Sequence, residues 1–290
     1  MTMNIDFATR ILKRIGHIDP PGCCGTFLEH PFPPYRDKRS VEIGFVIEHR
    51  FAFYYWLKCK RKMMADRRSK FRPSDEEFRP PDLITWDWHD DVGGECDFIE
   101  EELVALNQAD EQEVALFCWG GLRQMNDGHI APALWLNALG NVYVLQKQRD
   151  DDELERYSRV CIDRYGQEHH VWYFRSPNEL ANHFAESNSR TGVIWDVDLD
   201  FFTEEEKVPD QWYTPPVSKR MIRSLLNPNK LWMQQIFGDL QAITIAIEPE
   251  YTGGLTQSLR LYDTWEKALF TEPIFSKNCD WREQIRESFS

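Results

Sequence analysis

Leu83–Gly94 reads LITWDWHDDVGG: an apolar run that ends in Asp87, His89 and Asp91 at alternate positions. Residues two apart on a strand face the same way, so Asp87 and His89 can converge while Trp86 and Trp88 pack behind them. A turn explains the polar residues at the end of the run, since Asp90-Asp91 is followed by Gly93-Gly94. A metal site explains them better once a second run is set beside the first. Val193–Phe202, VIWDVDLDFF, leaves another apolar stretch through Asp196, Asp198 and Asp200. Three carboxylates beside residues such as Ile194, Phe201 and Phe202 cost several kcal/mol unless a positive charge is near. A divalent cation supplies that charge.

Working outward, five more segments are short and apolar: 42–48, 114–118, 142–147, 170–174 and 242–247. With 83–88 and 193–199 they give seven strand candidates. Because they are apolar throughout rather than alternating, they suit a sheet buried on both faces, and therefore a mostly parallel one. Segments of helical spacing or composition lie between most of them, at 50–66, 98–109, 132–139, 177–186, 218–227 and 258–270. The alternation predicts a three-layer α/β/α fold in a single domain spanning residues 1–290. In such sheets ligands bind beyond the carboxyl ends of the strands. Three further strand ends carry candidates there. The run at 42–48 meets His49, the one at 114–118 leads to Asn126 and His129, and the last leads to Glu248 and Glu250.

The chain has 290 residues and a net charge of −14, with 42% hydrophobic and 13% aromatic residues. That is a globular composition with ample material for a core. So acidic a chain repels phosphate backbones, which argues against nucleic acid as a partner and fits a cationic one. The seven cysteines stand at irregular spacing with no CxxC pair, so free thiols are expected. No apolar run approaches a membrane span and the N-terminus has no signal-peptide pattern, which predicts a cytoplasmic protein without membrane contact. A homo-oligomer is compatible with all of this. Residues 19–37 and 203–217 read as irregular proline-bearing connections, and 58–72 is the one strongly basic run, either a solvated helix end or a docking patch.

His49 with Asp87, His89, Asp91, Asp196 and Asp198 offers two imidazoles and four carboxylates. That exceeds the roughly three protein ligands of a catalytic zinc and suits two hard ions, manganese before zinc. Two such ions can activate water at neutral pH.

The motif DWHDD at 87–91 resembles the Asp-x-His-x-Asp signature of the ureohydrolases (arginase, agmatinase), and DVD at 196–198 resembles their second, Asp-x-Asp signature. His49 falls where that family has its first histidine ligand. VIWDVDLDFF and TIAIEPEYTGG look like a divergent arginase-like branch that includes bacterial peptide arginases, which convert arginine in ribosomally made precursors to ornithine. The resemblance implies an arginase-like fold and two Mn²⁺ ions bridged by Asp87 and Asp196. His49 and Asp91 would complete one ion, and His89 and Asp198 the other. It also implies His129 as a proton shuttle, and Glu248 or Glu250 as the partner of the guanidinium. The expected reaction is hydrolysis of an arginine side chain in a peptide to ornithine and urea. The chain departs from arginases in three respects. The glycines before the first histidine are missing (VIEHR), Asp200 comes one place early in LDFF, and no segment matches the loop that grips the free amino acid's α-amino and α-carboxylate groups. The last favours a backbone-linked substrate. The alternatives are a zinc deacetylase of the same fold, which would leave His49 and Asp91 idle, and a metal-stabilised peptide-binding module without chemistry.

Overall fold

The computed structural model describes residues 25–31, 40–70, 78–93, 100–123, 127–147, 158–186, 192–204, 206–208, 211–213 and 215–282. One eight-stranded sheet organises them. Its strands are β1 (Thr26–Pro31), β2 (Ser40–Val46), β3 (Asp82–Asp87), β4 (Val142–Gln146), β5 (Ser158–Ile162), β6 (Glu168–Phe174), β7 (Val193–Asp198) and β10 (Leu240–Ala246). The spatial order is β1-β2-β10-β7-β3-β4-β6-β5. The six inner strands run parallel, and antiparallel β1 and β5 close the two edges. A separate small pair, β8 (Glu206–Val208) with β9 (Gln211–Tyr213), lies within the connection read as irregular.

Helices cover both faces, because the inner strands are apolar on both. One core packs α1 (Ala52–Lys70), α2 (Glu100–Ala105), α3 (Glu111–Gly120) and α4 (Ile130–Trp135) over Leu83, Val144, Ile194 and Ala242. The other packs α5 (Pro177–Glu186), α6 (Lys219–Leu225), α7 (Leu231–Gly238) and α8 (Leu255–Leu269) over Ile84, Trp195, Val197 and Ile243. The α/β class and the mostly parallel sheet expected from the sequence are therefore present.

One expected strand is a helix. Residues 114–118 lie inside α3, whose N-terminus is capped by Asp110 accepting from the amides of Gln112 and Glu113. Val114, Phe117 and Cys118 face the core, and a short apolar run in a buried helix carries no periodicity that separates it from a buried strand. The sheet takes β1 and β5 instead. Much of the 19–37 segment falls outside the described residues; 26–31 is β1. The basic run lies largely on α1, where its cations serve the fold. Lys60 donates to the Leu136 carbonyl at 3.1 Å, Arg61 to the Gln108 carbonyl at 2.7 Å, and Lys62 pairs with Glu29 and Glu42. No disulfide joins the four described cysteines, Cys59, Cys118, Cys161 and Cys279, to one another. Among the described residues no helix is long and apolar enough to cross a membrane.

Gly44 brings α1 onto the sheet. A Cβ there would stand 2.8 Å from the Tyr55 ring, so only glycine lets this helix lie so close to β2 and its neighbour β10.

Candidate metal centre

The face of the sheet under α1 changes character along three neighbouring strands. Register aligns Leu83 with Ile194, then Thr85 with Asp196 and Thr244, and then places Asp198 level with Ala246, with Asp87 one residue beyond the Trp86–Val197 pair. The first level is apolar core, the second is a polar triplet, and the third is the carboxyl edge. Asp196 and Asp198 thus share a face but not a depth.

Asp196 occupies the inner level and is fully engaged by protein. One oxygen accepts from Thr244 Oγ1; the other accepts from Thr85 Oγ1 at 2.9 Å and lies 2.6 Å from His49 Nε2. Trp56 Nε1, reaching down from α1, donates to Thr244 Oγ1 at 3.2 Å. The chain from Trp56 to His49 fixes the imidazole with Nε2–H on Asp196. His49 sits in the 3-10 turn His49–Phe51 after β2 and is fully buried. Its Nδ1 faces outward to Asp91 at 2.7 Å, Asp87 at 3.0 Å and Asp198 at 3.3 Å. A histidine held by a carboxylate on one nitrogen, with the other aimed at carboxylates, is the arrangement by which proteins present a metal ligand. His49 Nδ1 and Asp87 Oδ2 are both sealed from solvent without a hydrogen bond of proper geometry, which is what a donor set built around a cation leaves when only protein atoms are counted.

The loop after β3 brings the remaining candidates. Asp87 Oδ1 accepts from the His89 amide at 2.7 Å, and Asp91 adopts a left-handed conformation, φ 47°. His89 is part-exposed, with Nδ1 3.3 Å from Asp200. Asp200 stands in the 3-10 turn Leu199–Phe202 after β7; its other oxygen accepts from the Trp88 amide at 3.1 Å. Three overlapping groups could each hold an ion: His49-Asp91-His129, His49-Asp87-Asp198 and Asp87-His89-Asp91. Of the six ligands the resemblance implied, five fall in these groups. Asp196 lies behind His49, and Asp200 stands in the cluster beside His89.

His129 is both things its sequence allowed, the residue before a helix and a member of the cluster. It holds the N-cap position of α4 without a side-chain capping bond and is buried, 3.8 Å from Asp91, edge-on to His49 with ring centres 4.5 Å apart, and stacked on Trp56 at 5.2 Å. Glu248 and Glu250 separate cleanly. Glu248 is buried, takes a strained φ of 37°, and accepts from the His49 backbone amide; Glu250 is exposed.

The electrostatics follow from so many acids out of water. Burial, with neighbouring carboxylates, drives Asp91 and Asp198 well above the ordinary range. Asp200 is raised for the same reasons. Burial lifts Glu248 to about 7. Burial also works against protonation of His49, but Asp196, and then Asp87 and Asp91, raise it well above its ordinary value. His89 reaches about 9 through Asp200 and Asp87 despite burial. Asp87 moves down instead: burial would raise it, and the close approach of His49, 3.0 Å away, overrides that. Shifts of opposed direction crowd into this one cluster of buried groups.

The sequence reading missed Thr85, Thr244 and Trp56, which support the cluster. Hydroxyls within otherwise apolar strands were the available signal. No family model matches the chain, and no curated protein is detectably similar to it.

Proposed function

We propose that this chain is a metal-dependent hydrolase of the arginase-like type, acting on the guanidinium of arginine in a peptide and releasing urea and an ornithine side chain. The observation that carries the proposal is His49: Nε2 locked on Asp196, Nδ1 turned into a space shared with Asp87, Asp91 and Asp198. Asp87, Asp91, Asp198 and His49 would hold divalent ions, with His89 and Asp200 completing the set; carboxylate-rich ligation favours Mn²⁺. Paired ions of this kind supply an activated water and polarise the group it attacks. Asp196 serves here as the support of His49 and not as a bridge.

The other residues have protein-level tasks. Glu248 can meet the planar guanidinium with a carboxylate whose direction is set by the His49 amide. His129, between His49 and Trp56, is placed to hand a proton to the departing amine. The exposed Glu250 adds to the surroundings a charge that draws cationic peptides.

The test is metal analysis of the purified chain, then incubation with manganese and an arginine-containing peptide. Ornithine in the peptide by mass spectrometry, with urea in solution and about two Mn per chain, supports the reading. Urea from free arginine alone would replace the substrate. A single zinc with acetyl-lysine hydrolysis would replace the chemistry with that of a deacetylase. Peptide binding without urea would leave a binding module.

A further inference from the structure

We infer that Arg159 is a positioning residue for the loop that bears His89 and Asp91. This rests on the metal reading above. Arg159 lies on β5, at the edge of the sheet and three strands away from β3. By register Arg159 is level with Val171 on β6, Val142 on β4 and Leu83 near the start of β3, on the face that α4 covers. The Arg159 side chain reaches back over the intervening strands. Nη1 donates to the Gly93 carbonyl at 3.0 Å, Nη2 lies 3.6 Å from Asp90, and the guanidinium sits 5.9 Å from the Tyr173 ring centre. Asp90, which stands between the ligand candidates His89 and Asp91, is therefore half of an anchor.

The loop needs one. Both Asp91 (φ 47°) and Gly93 (φ 72°) are left-handed, and for a non-glycine residue that costs on the order of 1 kcal/mol or more unless the surroundings impose it. From the far side the loop is gripped by α4. The amides of Ile130 and Ala131 donate to the carbonyls of Asp91 and Val92, both at 3.3 Å. Arg159 supplies the near side. A planar fork aims two separate nitrogens at a carbonyl and a carboxylate in fixed directions, which the single ammonium of a lysine does not. The charges also fit: Asp90 answers the guanidinium locally, so the clamp adds little repulsion toward a cation a residue or two away.

Two measurements on the full chain test this. In Mn²⁺ titration calorimetry, Arg159→Gln should bind about tenfold more weakly or worse, the range for lost outer-shell support, with Arg159→Lys in between. In hydrogen exchange on the metal-free protein, the Ile130 and Ala131 amides should exchange several-fold faster in Arg159→Gln than in wild type, while amides within β7 are unchanged. Unchanged exchange at those two amides overturns the clamp whether or not metal binds. So does wild-type manganese affinity in Arg159→Gln. A wild-type chain that binds no manganese overturns the metal reading alone, and the exchange result then decides the clamp.

Discussion

Stripped of metal, this protein should become more stable, not less, as pH falls from about 8 to about 5. Glu248 ionises near 7 in the fold against an ordinary 4.5. Between those values the folded chain keeps a proton that the unfolded chain has released, so stability rises on acidification through that window. Asp91, Asp198 and Asp200 are raised and act in the same direction. His89, raised to about 9, adds stability that is complete below its unfolded value of 6.5 and lost as pH climbs through 9. His49 behaves alike. Asp87, lowered by His49, opposes them only below its ordinary 3.8, outside the window. Glu248 alone, raised from 4.5 to about 7, contributes on the order of 3 kcal/mol, or roughly 5 °C in melting temperature for 290 residues. Bound Mn²⁺ ionises the same carboxylates and should invert the slope. The assay is thermal melting from pH 5 to 8 in chelator and in manganese. Relief of the net charge of −14 also favours acid, so Glu248→Gln provides the control and should flatten the 4.5–7 part of the chelated profile. A metal-free melting temperature that falls on acidification, or one profile for both conditions, refutes the reasoning.

Other expectations concern single residues. Asp196→Asn should weaken manganese binding about 10–100-fold through His49, whereas Asp198→Asn should remove an ion outright; metal content after gel filtration separates the two. His129→Ala should retain its metal yet lower urea formation at least 100-fold, and metal loss together with activity would make it a ligand instead. Gly44→Ala should cost about 1–3 kcal/mol in urea denaturation, because the new methyl meets the Tyr55 ring rather than a movable side-chain end; an unchanged midpoint would show that α1 can shift.

Asp87, Asp91 and Asp198 were legible as a cluster because each ends or follows a strand at the carboxyl edge, where periodicity of two and the parallel sheet determine their direction. Depth was not legible. Asp196, Asp198 and Asp200 follow one another at equal spacing, and nothing in that spacing tells which is level with Thr85 and which has left the sheet. Register sets that, and register is a property of three strands pairing. The helix at 111–120 was hidden for a related reason: both faces of a buried element are apolar, so its period vanishes. Arg159 could not be found at all, since its partners lie 66 and 69 residues away in sequence, Gly93 and Asp90.

The charge count bears on how many ions the cluster could take. Asp87, Asp91, Asp196, Asp198, Asp200 and Glu248 are six carboxylates, each nearly or fully buried. With His49 and His89 neutral, as ligation requires, the cluster carries six negative charges. One divalent ion would leave four of these out of water, of which the near ammonium among the described residues, Lys147 beside the Trp88 and Phe201 rings, lowered to about 8 by burial, could answer only one. Two divalent ions leave two charges. A substrate guanidinium against Glu248 answers one, and Lys147 can answer the other. On this count two ions make a neutral complex only when a monocation is bound, so arginine peptides should bind the two-manganese protein more tightly than their citrulline counterparts. Equal affinity for both, measured by calorimetry on a His129→Ala protein that cannot turn them over, would sink the charge argument.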